Sequence, residues 1–148
     1  MKQKITPNIW FVANAEQAVA YYTTQFPGGR ILSTSYYPKS AEEGLADFQL
    51  EFAGKALTID FELGQYRLTA INAGPEFKVN PSISFMLNFD PSKNFHAQDR
   101  MDDLWCKMSD ESKVLKDIDA YPFSGRYGWL QDRYGVGWLF ILEEVSSE

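Results

Sequence analysis

A single histidine, a single cysteine and one spaced pair of strand carboxylates are the first candidates for chemistry in this 148-residue chain. His96 sits in a polar stretch, Asn94-Phe95-His96-Ala97-Gln98. An imidazole that titrates near neutrality suits general-base catalysis. No partner for it is evident in the sequence, and a lone loop histidine reads as solvated surface. Cys106, between Trp105 and Lys107, would be a nucleophile in a cationic, partly exposed setting. Free cysteine is more often a small buried hydrophobe, and a buried Cys106 is expected. Asp60 and Glu62 lie two apart on an expected strand and so share a face. That spacing suits acid–base work or a metal, and it equally describes the wet face of a strand. Glu143 and Glu144 read the same way.

What is missing narrows the function further. One histidine excludes every site built from two histidines of one chain, and one cysteine excludes an internal disulfide or a cysteine-based zinc cage. Lys plus Arg is 14 against 20 for Asp plus Glu, a net charge of −6. That balance disfavours nucleic acid and anionic membrane surfaces as partners. Met1-Lys2-Gln3-Lys4-Ile5-Thr6-Pro7 has no apolar run after its basic residues, unlike a secretion signal. No apolar stretch approaches the ~20 residues of a membrane helix. With a free cysteine, these features predict a cytoplasmic protein.

The elements that must position any site follow from periodicity. Ile5 to Val12 reads as a strand. Asn14 with Gln17 three residues on is a capping-box pattern. Ala15, Ala18, Val19 and Tyr22 then recur on one helical face, and Pro27-Gly28-Gly29 ends the helix. Arg30 to Tyr37 predicts a second strand, and Pro38 to Leu45 a loop. Phe48, Leu50 and Phe52 alternate with polar residues, as do Leu57, Ile59, Phe61 and Leu63, and Tyr66 to Asn72 adds another strand. The alternation predicts an antiparallel meander with one buried face. After Ala73-Gly74-Pro75 the order restarts: a strand over Ser82 to Phe89, a helix from about Ala97 to Met108, then strands over Lys113–Ile118, Tyr127–Asp132 and Gly137–Glu143. Val145 to Glu148 reads as a frayed tail.

The expected fold class is therefore α+β, one domain over residues 1–148. Two βαβββ modules, 4–73 and 79–144, form a cupped, mostly antiparallel sheet with a ligand cavity on its concave side.

Several segments carry a family resemblance: Ile5-Thr6-Pro7-Asn8-Ile9-Trp10-Phe11 with Asn14-Ala15-Glu16-Gln17-Ala18; Leu68-Thr69-Ala70-Ile71-Asn72-Ala73-Gly74-Pro75 leading to Ile83-Ser84-Phe85-Met86; Tyr121-Pro122-Phe123-Ser124; and Gly128-Trp129-Leu130-Gln131-Asp132-Arg133-Tyr134-Gly135-Val136-Gly137-Trp138. On these the chain resembles the PhnB-like, or 3-demethylubiquinone methyltransferase-like, branch of the vicinal oxygen chelate superfamily, which includes glyoxalase I and the bleomycin- and fosfomycin-resistance proteins. Relative to that branch, residues 41–55 look like an insertion that could add a strand. The resemblance implies a homodimer. Metal-using members hold a divalent ion with four side chains, mostly His, Glu or Gln. Those positions fall on Pro7, Asn72, Ser82 or Ser84, and Leu139. Shifted by one residue they fall on Asn8, Ile71, Ile83, and Trp138 or Phe140. Neither register supplies a metal-binding set, so neither a metal nor a cofactor is expected. The methyltransferase name finds no support in the residues either. Such enzymes need a Gly-rich turn between strand and helix, and Gly28-Gly29 follows a helix.

Aromatic residues make up 16% of the chain, a surplus that often lines a pocket. Among Trp10, Phe11, Trp129, Trp138 and Phe140, the strand alternation leaves open which enter a cavity. The candidate ligand-binding set is Trp10, Phe11, Asn72, Ser84, Met86, Trp129 and Gln131, with no catalytic residue assigned. The leading expectation is metal-independent binding of an unidentified small molecule. The alternatives are a metal-dependent lyase or dioxygenase, for instance with Asp60, Glu62 and His96, and a drug-sequestering protein whose negative charge suits a cationic planar ligand.

Overall fold

Period-two and period-3.6 patterns become one element order used twice in the computed structural model, which describes residues 3–144. The first unit, Met1–Lys78, contains β1 (Asn8–Phe11), α1 (Ala15–Gln25), β2 (Arg30–Tyr36), β3 (Ala56–Leu63) and β4 (Tyr66–Asn72). The second, Val79–Glu148, contains β5 (Ser84–Phe89), α2 (Ala97–Ser109), β6 (Lys113–Tyr121), β7 (Ser124–Gln131) and β8 (Gly137–Leu142). The expected tail, 145–148, and the first two residues of the opening segment lie outside the described residues.

Each unit holds a four-stranded mixed sheet, ordered β1-β4-β3-β2 and β5-β8-β7-β6. β1 runs parallel to β4 and β5 parallel to β8, while the remaining pairs are antiparallel. The fold class is α+β, as expected. Each helix returns the chain from the first strand to the opposite edge of its own sheet, so it lies across one sheet face and buries it.

That coverage sets the register of every strand. In the first unit Ile9 pairs with Ala70 and Phe11 with Asn72, while Ile59 and Phe61 pair with Ala70 and Leu68. These residues are buried together with Ala15, Ala18, Val19 and Tyr22 of α1. In the second unit Trp138, Phe140 and Leu130 are buried with Met101, Leu104, Trp105 and Met108 of α2. The indole of Trp105 lies on Gly128, where a Cβ would come within 2.7 Å of the ring, and meets Phe140 edge-on at 5.1 Å. α1 stops where expected. Gly28 takes φ +71°, and a Cβ on Gly29 would overlap the Thr23 carbonyl at 2.4 Å.

Three local expectations are corrected. Phe48, Leu50 and Phe52 do not form a strand: Asp47–Phe52 is a 3-10 helix, and a shorter one, Ala41–Glu43, precedes it within the expected loop. The Gln49 side chain accepts from the Ala46 N–H at 3.2 Å and starts that turn. Only Phe52 is buried, packed with Tyr37 and Leu45; Phe48 is 82% exposed. A five-residue alternation with no partner strand has no ladder to hold it extended. Second, the Asn14 side chain makes no cap at α1; the Ala15 N–H is capped instead by Asn72 Oδ1 at 2.9 Å. Third, Cys106 is exposed rather than buried, because it falls off the face of α2 that carries Met101, Leu104, Trp105 and Met108.

Candidate functional site

Because the helices cover one face of each sheet, only the opposite, far face can present strand side chains to a ligand. Register decides which candidates reach it. Trp10 stands on the far face of the first sheet, beside Ile71. Its indole donates to the Gly74 carbonyl at 2.8 Å and meets Phe77 edge-on at 5.1 Å.

Phe11 and Asn72 stand on the helix-covered face instead. Phe11 is 1% exposed. Asn72 Nδ2 donates to the Ala56 carbonyl at 2.9 Å and to the Glu16 carboxylate, while its Oδ1 caps α1. The Tyr37 hydroxyl donates to its backbone carbonyl. With Oδ1 and both amide N–H groups engaged and the residue only 2% exposed, Asn72 ties β4 to α1 and β3 from the packed face. This packing role leaves no mark in the sequence, because asparagine in a strand alternation looks the same on either face.

Ser84, Met86, Trp129 and Gln131 do come together on the far face of the second sheet. Ser84 is paired with Gly137 and Met86 with Leu139. Trp129 is paired with Leu139 and Gln131 with Gly137. The Trp129 indole donates to Ser84 Oγ at 3.1 Å, and that hydroxyl donates to the Pro81 carbonyl at 2.9 Å. Gly137 stands between them, and a Cβ there would lie 2.1 Å from Ser84 Oγ. The missing side chain of Gly137 is what lets β5 reach across to β7. Trp129 is thus half-buried and held in one orientation, beside a half-exposed Met86. Leu139 and Ile141 extend the apolar surface, which ends at a cluster of Tyr121, Phe123 and Tyr127. Burial raises the Tyr127 phenol above its usual range.

Beyond Trp10 and Ile71, the far face of the first sheet is polar and internally satisfied. Asp60 accepts from the Thr69 hydroxyl at 2.6 Å, from Arg67 at 2.8 Å and from Ser33 at 3.1 Å. The Thr69 hydrogen bond, with those from Arg67 and Ser33, holds this carboxyl below the usual aspartate range. Glu62 pairs with Arg30 at 2.6 Å. Both carboxylates are wet-face residues, each committed to an arginine. His96 is exposed, 3.7 Å from Asp99.

The donor set does not fit the divalent ion implied by the superfamily. The far-face side chains on β1, β4, β5 and β8 are Asn8, Trp10, Arg67, Thr69, Ile71, Ser84, Met86, Asn88, Leu139 and Ile141, with no histidine or carboxylate among them. Among the described residues, no group of three or more His, Cys, Asp or Glu is gathered. A methyl-donor turn fits no better. The link from β1 to α1, Val12-Ala13-Asn14, has no glycine, and the first N–H of α1 is taken by Asn72. Among the described residues no helix is long and apolar enough to cross a membrane.

Sequence reasoning passed over Asp132, which is 5% exposed. Its Oδ1 accepts from the N–H groups of Tyr134 and Val136, and its Oδ2 from the Trp138 indole at 2.8 Å. It closes the turn that joins β7 to β8 and so fixes the register of Trp129 against Leu139. Its position just before a Gly-containing turn is the only signal that sequence offered.

The family described as 3-demethylubiquinone-9 3-methyltransferase matches residues 3–141. The PhnB protein of Bacillus cereus, which carries the same methyltransferase description, is 28% identical; the match covers 95% of this chain and all of that one, at a TM-score of 0.77. Protein PA1353 of Pseudomonas aeruginosa is 20% identical over 97% of this chain and all of that one, at a TM-score of 0.72. The fosfomycin resistance protein FosX of Listeria monocytogenes shares the fold at 8% identity and a TM-score of 0.57, over 98% of this chain and 97% of that one. No curated protein matches the sequence.

Proposed function

The chain belongs to the 3-demethylubiquinone-9 3-methyltransferase family, the PhnB-like branch of the vicinal oxygen chelate superfamily, and from that premise we propose that it binds a small apolar or aromatic molecule without a metal. The observation that carries this reading is the Trp129 indole, pinned by Ser84 on the one face of the second sheet that its helix leaves bare. A ring held in one orientation gives up little further freedom on binding, which favours stacking of a flat ligand against it. Met86, Leu139 and Ile141 supply the adjoining apolar surface and Gln131 a polar group to orient the ligand. Trp10 is a secondary candidate; Phe11 and Asn72 are set aside as packing residues.

Metal independence rests on the chemistry of the far-face side chains, which offer amide, hydroxyl, thioether and hydrocarbon groups instead of imidazole and carboxylate. We also read the protein as a cytoplasmic homodimer. The exposed free thiol of Cys106 suits a reducing compartment, and exposed Phe48, Leu50 and Phe95 suit contact with a second copy. Sedimentation at micromolar concentration should give twice the chain mass.

The test uses 2-naphthylmethanol, a flat uncharged probe, and the indole N–H resonance of Trp129, assigned through Trp129→Phe. Binding should shift that resonance, and Trp129→Ala should abolish binding while retaining a cooperative melt. An unmoved Trp129 resonance at millimolar probe would overturn the binding reading. A rise in melting temperature with Mn²⁺, Ni²⁺, Zn²⁺ or Fe²⁺ would overturn metal independence.

A further inference from the structure

Resting on the reading that the far face of the second sheet is the binding site, we infer that its ligand is an anion: a flat aromatic ring bearing a carboxylate or comparable acidic group. The argument is local charge. The chain as a whole is acidic, with a net charge of −6, which taken alone would point to a cationic ligand. The far face of the second sheet departs from that average.

Two lysines of β6 border the pinned indole. Lys116 pairs in register with Trp129, and Lys113 with Gln131. Among the described residues neither lysine has an ion pair. Lys107, Arg126 and Arg133 of the same unit are, in contrast, each bonded to a carboxylate. The Lys116 ammonium lies over aromatic rings instead, 4.9 Å from the centre of Tyr121 and 5.6 Å from that of Phe123. Ring faces stabilise an ammonium without neutralising it. Its positive charge is therefore held over the Tyr121–Phe123 end of the face that carries the indole and remains available to an anion.

The other charged groups along this edge are Asp117 and Asp119. Asp119 pairs in register with Tyr127, at the far end of the hairpin from Gln131, and its carboxylate accepts from the Ala120 N–H. The Asp117 backbone carbonyl accepts from the Tyr121 hydroxyl. β5 and β8 add only Ser84, Met86, Asn88, Leu139 and Ile141 to this face. The face thus carries Lys113 at the Gln131 end, an apolar middle and, at the Tyr121–Phe123 end, the Lys116 ammonium with Asp117 and Asp119 near the same Tyr121 ring. A ligand with its ring on Trp129 and Met86 would have a lysine toward either end of the indole to meet its acidic group, Lys113 beside Gln131 or Lys116 over Tyr121 and Phe123.

Three probes of one shape separate charge from stacking: 2-naphthoate, 2-naphthylmethanol and 2-naphthylmethylammonium, each titrated while the Trp129 indole resonance is followed. Naphthoate should bind about tenfold tighter than the ammonium at low salt, with the alcohol between them. Added salt should shrink that difference. Lys113→Gln with Lys116→Gln should bring naphthoate down to the affinity of the alcohol and leave the alcohol unchanged. If the alcohol and the ammonium bind as well as naphthoate, or if the double variant keeps the preference, the anionic assignment is wrong although the binding site stands. If none of the three moves Trp129, the site itself is wrong, and this inference fails with it.

Discussion

On the first sheet, the face turned away from its helix carries Asp60 bonded to Thr69, Arg67 and Ser33, and Glu62 bonded to Arg30. On the second sheet the corresponding face carries Trp129, Met86, Leu139 and Ile141, with two lysines at its edge that no carboxylate meets. Both sheets grow from the same βαβββ order and bury the same kind of helix-facing core. The difference is confined to side chains that the fold does not need to bury. A polar face whose charges satisfy one another has little left to offer a ligand. An apolar face that leaves an indole half-buried and lysines unpaired has stacking surface and charge to offer. One element order, used twice, carries two different faces.

Each sheet is held in register by a buried polar hub, Asp132 in the second and Asn72 in the first, and loss of a hub has the largest expected effect. Asp132 accepts three hydrogen bonds in a buried turn. Asp132→Ala would leave the N–H groups of Tyr134 and Val136 and the Trp138 indole without that acceptor, at a cost of about 3 kcal/mol in urea denaturation. It should also broaden the Trp129 indole resonance, since β7 and β8 lose their fixed turn. Asn72→Ala removes the cap of α1 and the bond to Ala56. A loss of about 2 kcal/mol is expected, with the Trp129 resonance unmoved because the change lies in the other unit. An Asn72→Ala protein as stable as the parent would return Asn72 to the list of candidate ligand contacts.

Much of the fold could be read from the sequence because the patterns were long. β4 over Tyr66–Asn72 and the buried stripe of α2 through Met101, Leu104, Trp105 and Met108 came out as expected. Short patterns misled: the alternation of Phe48, Leu50 and Phe52 is a 3-10 helix. For the site, the difficulty was parity. Trp10 and Phe11 are neighbours of similar type, and only the pairing of Phe11 with Asn72, beneath α1, decides which one is buried. Alternation names the two faces of a strand without saying which one a helix will cover. Nor could spacing reveal that Asn72 caps a helix 57 residues away.

A smaller substitution sharpens the contrast at the indole itself. Gly137→Ala would push a methyl group onto Ser84 Oγ and Pro81, at 2.1 and 2.8 Å. A loss of about 1–2 kcal/mol follows from overpacking. The indole would also be freed from Ser84, so naphthoate affinity should fall further than stability alone explains. If Gly137→Ala binds naphthoate like the parent, the pinned orientation of Trp129 is irrelevant to binding.

The smallest effect belongs to the first sheet and carries the clearest sign. Asp60 is held below its usual range by Thr69, Arg67 and Ser33, so its ionised form is favoured by folding. A carboxylate depressed in the folded state contributes stability that is complete above the unfolded value of about 4 and is lost as pH falls through the folded one. Its side chain is 25% exposed, so screening limits the contribution to about 1 kcal/mol. Asp60→Asn should therefore be less stable than the parent at pH 7, by roughly that amount, and the gap should narrow in denaturation at successively lower pH below 4. A gap of equal size at neutral and acid pH would mean that packing, not charge, is what Asp60 supplies. The same variant should bind naphthoate unchanged. Were its affinity to fall, the two faces would not be separate in function, and the polar sheet would have to be counted as part of the site.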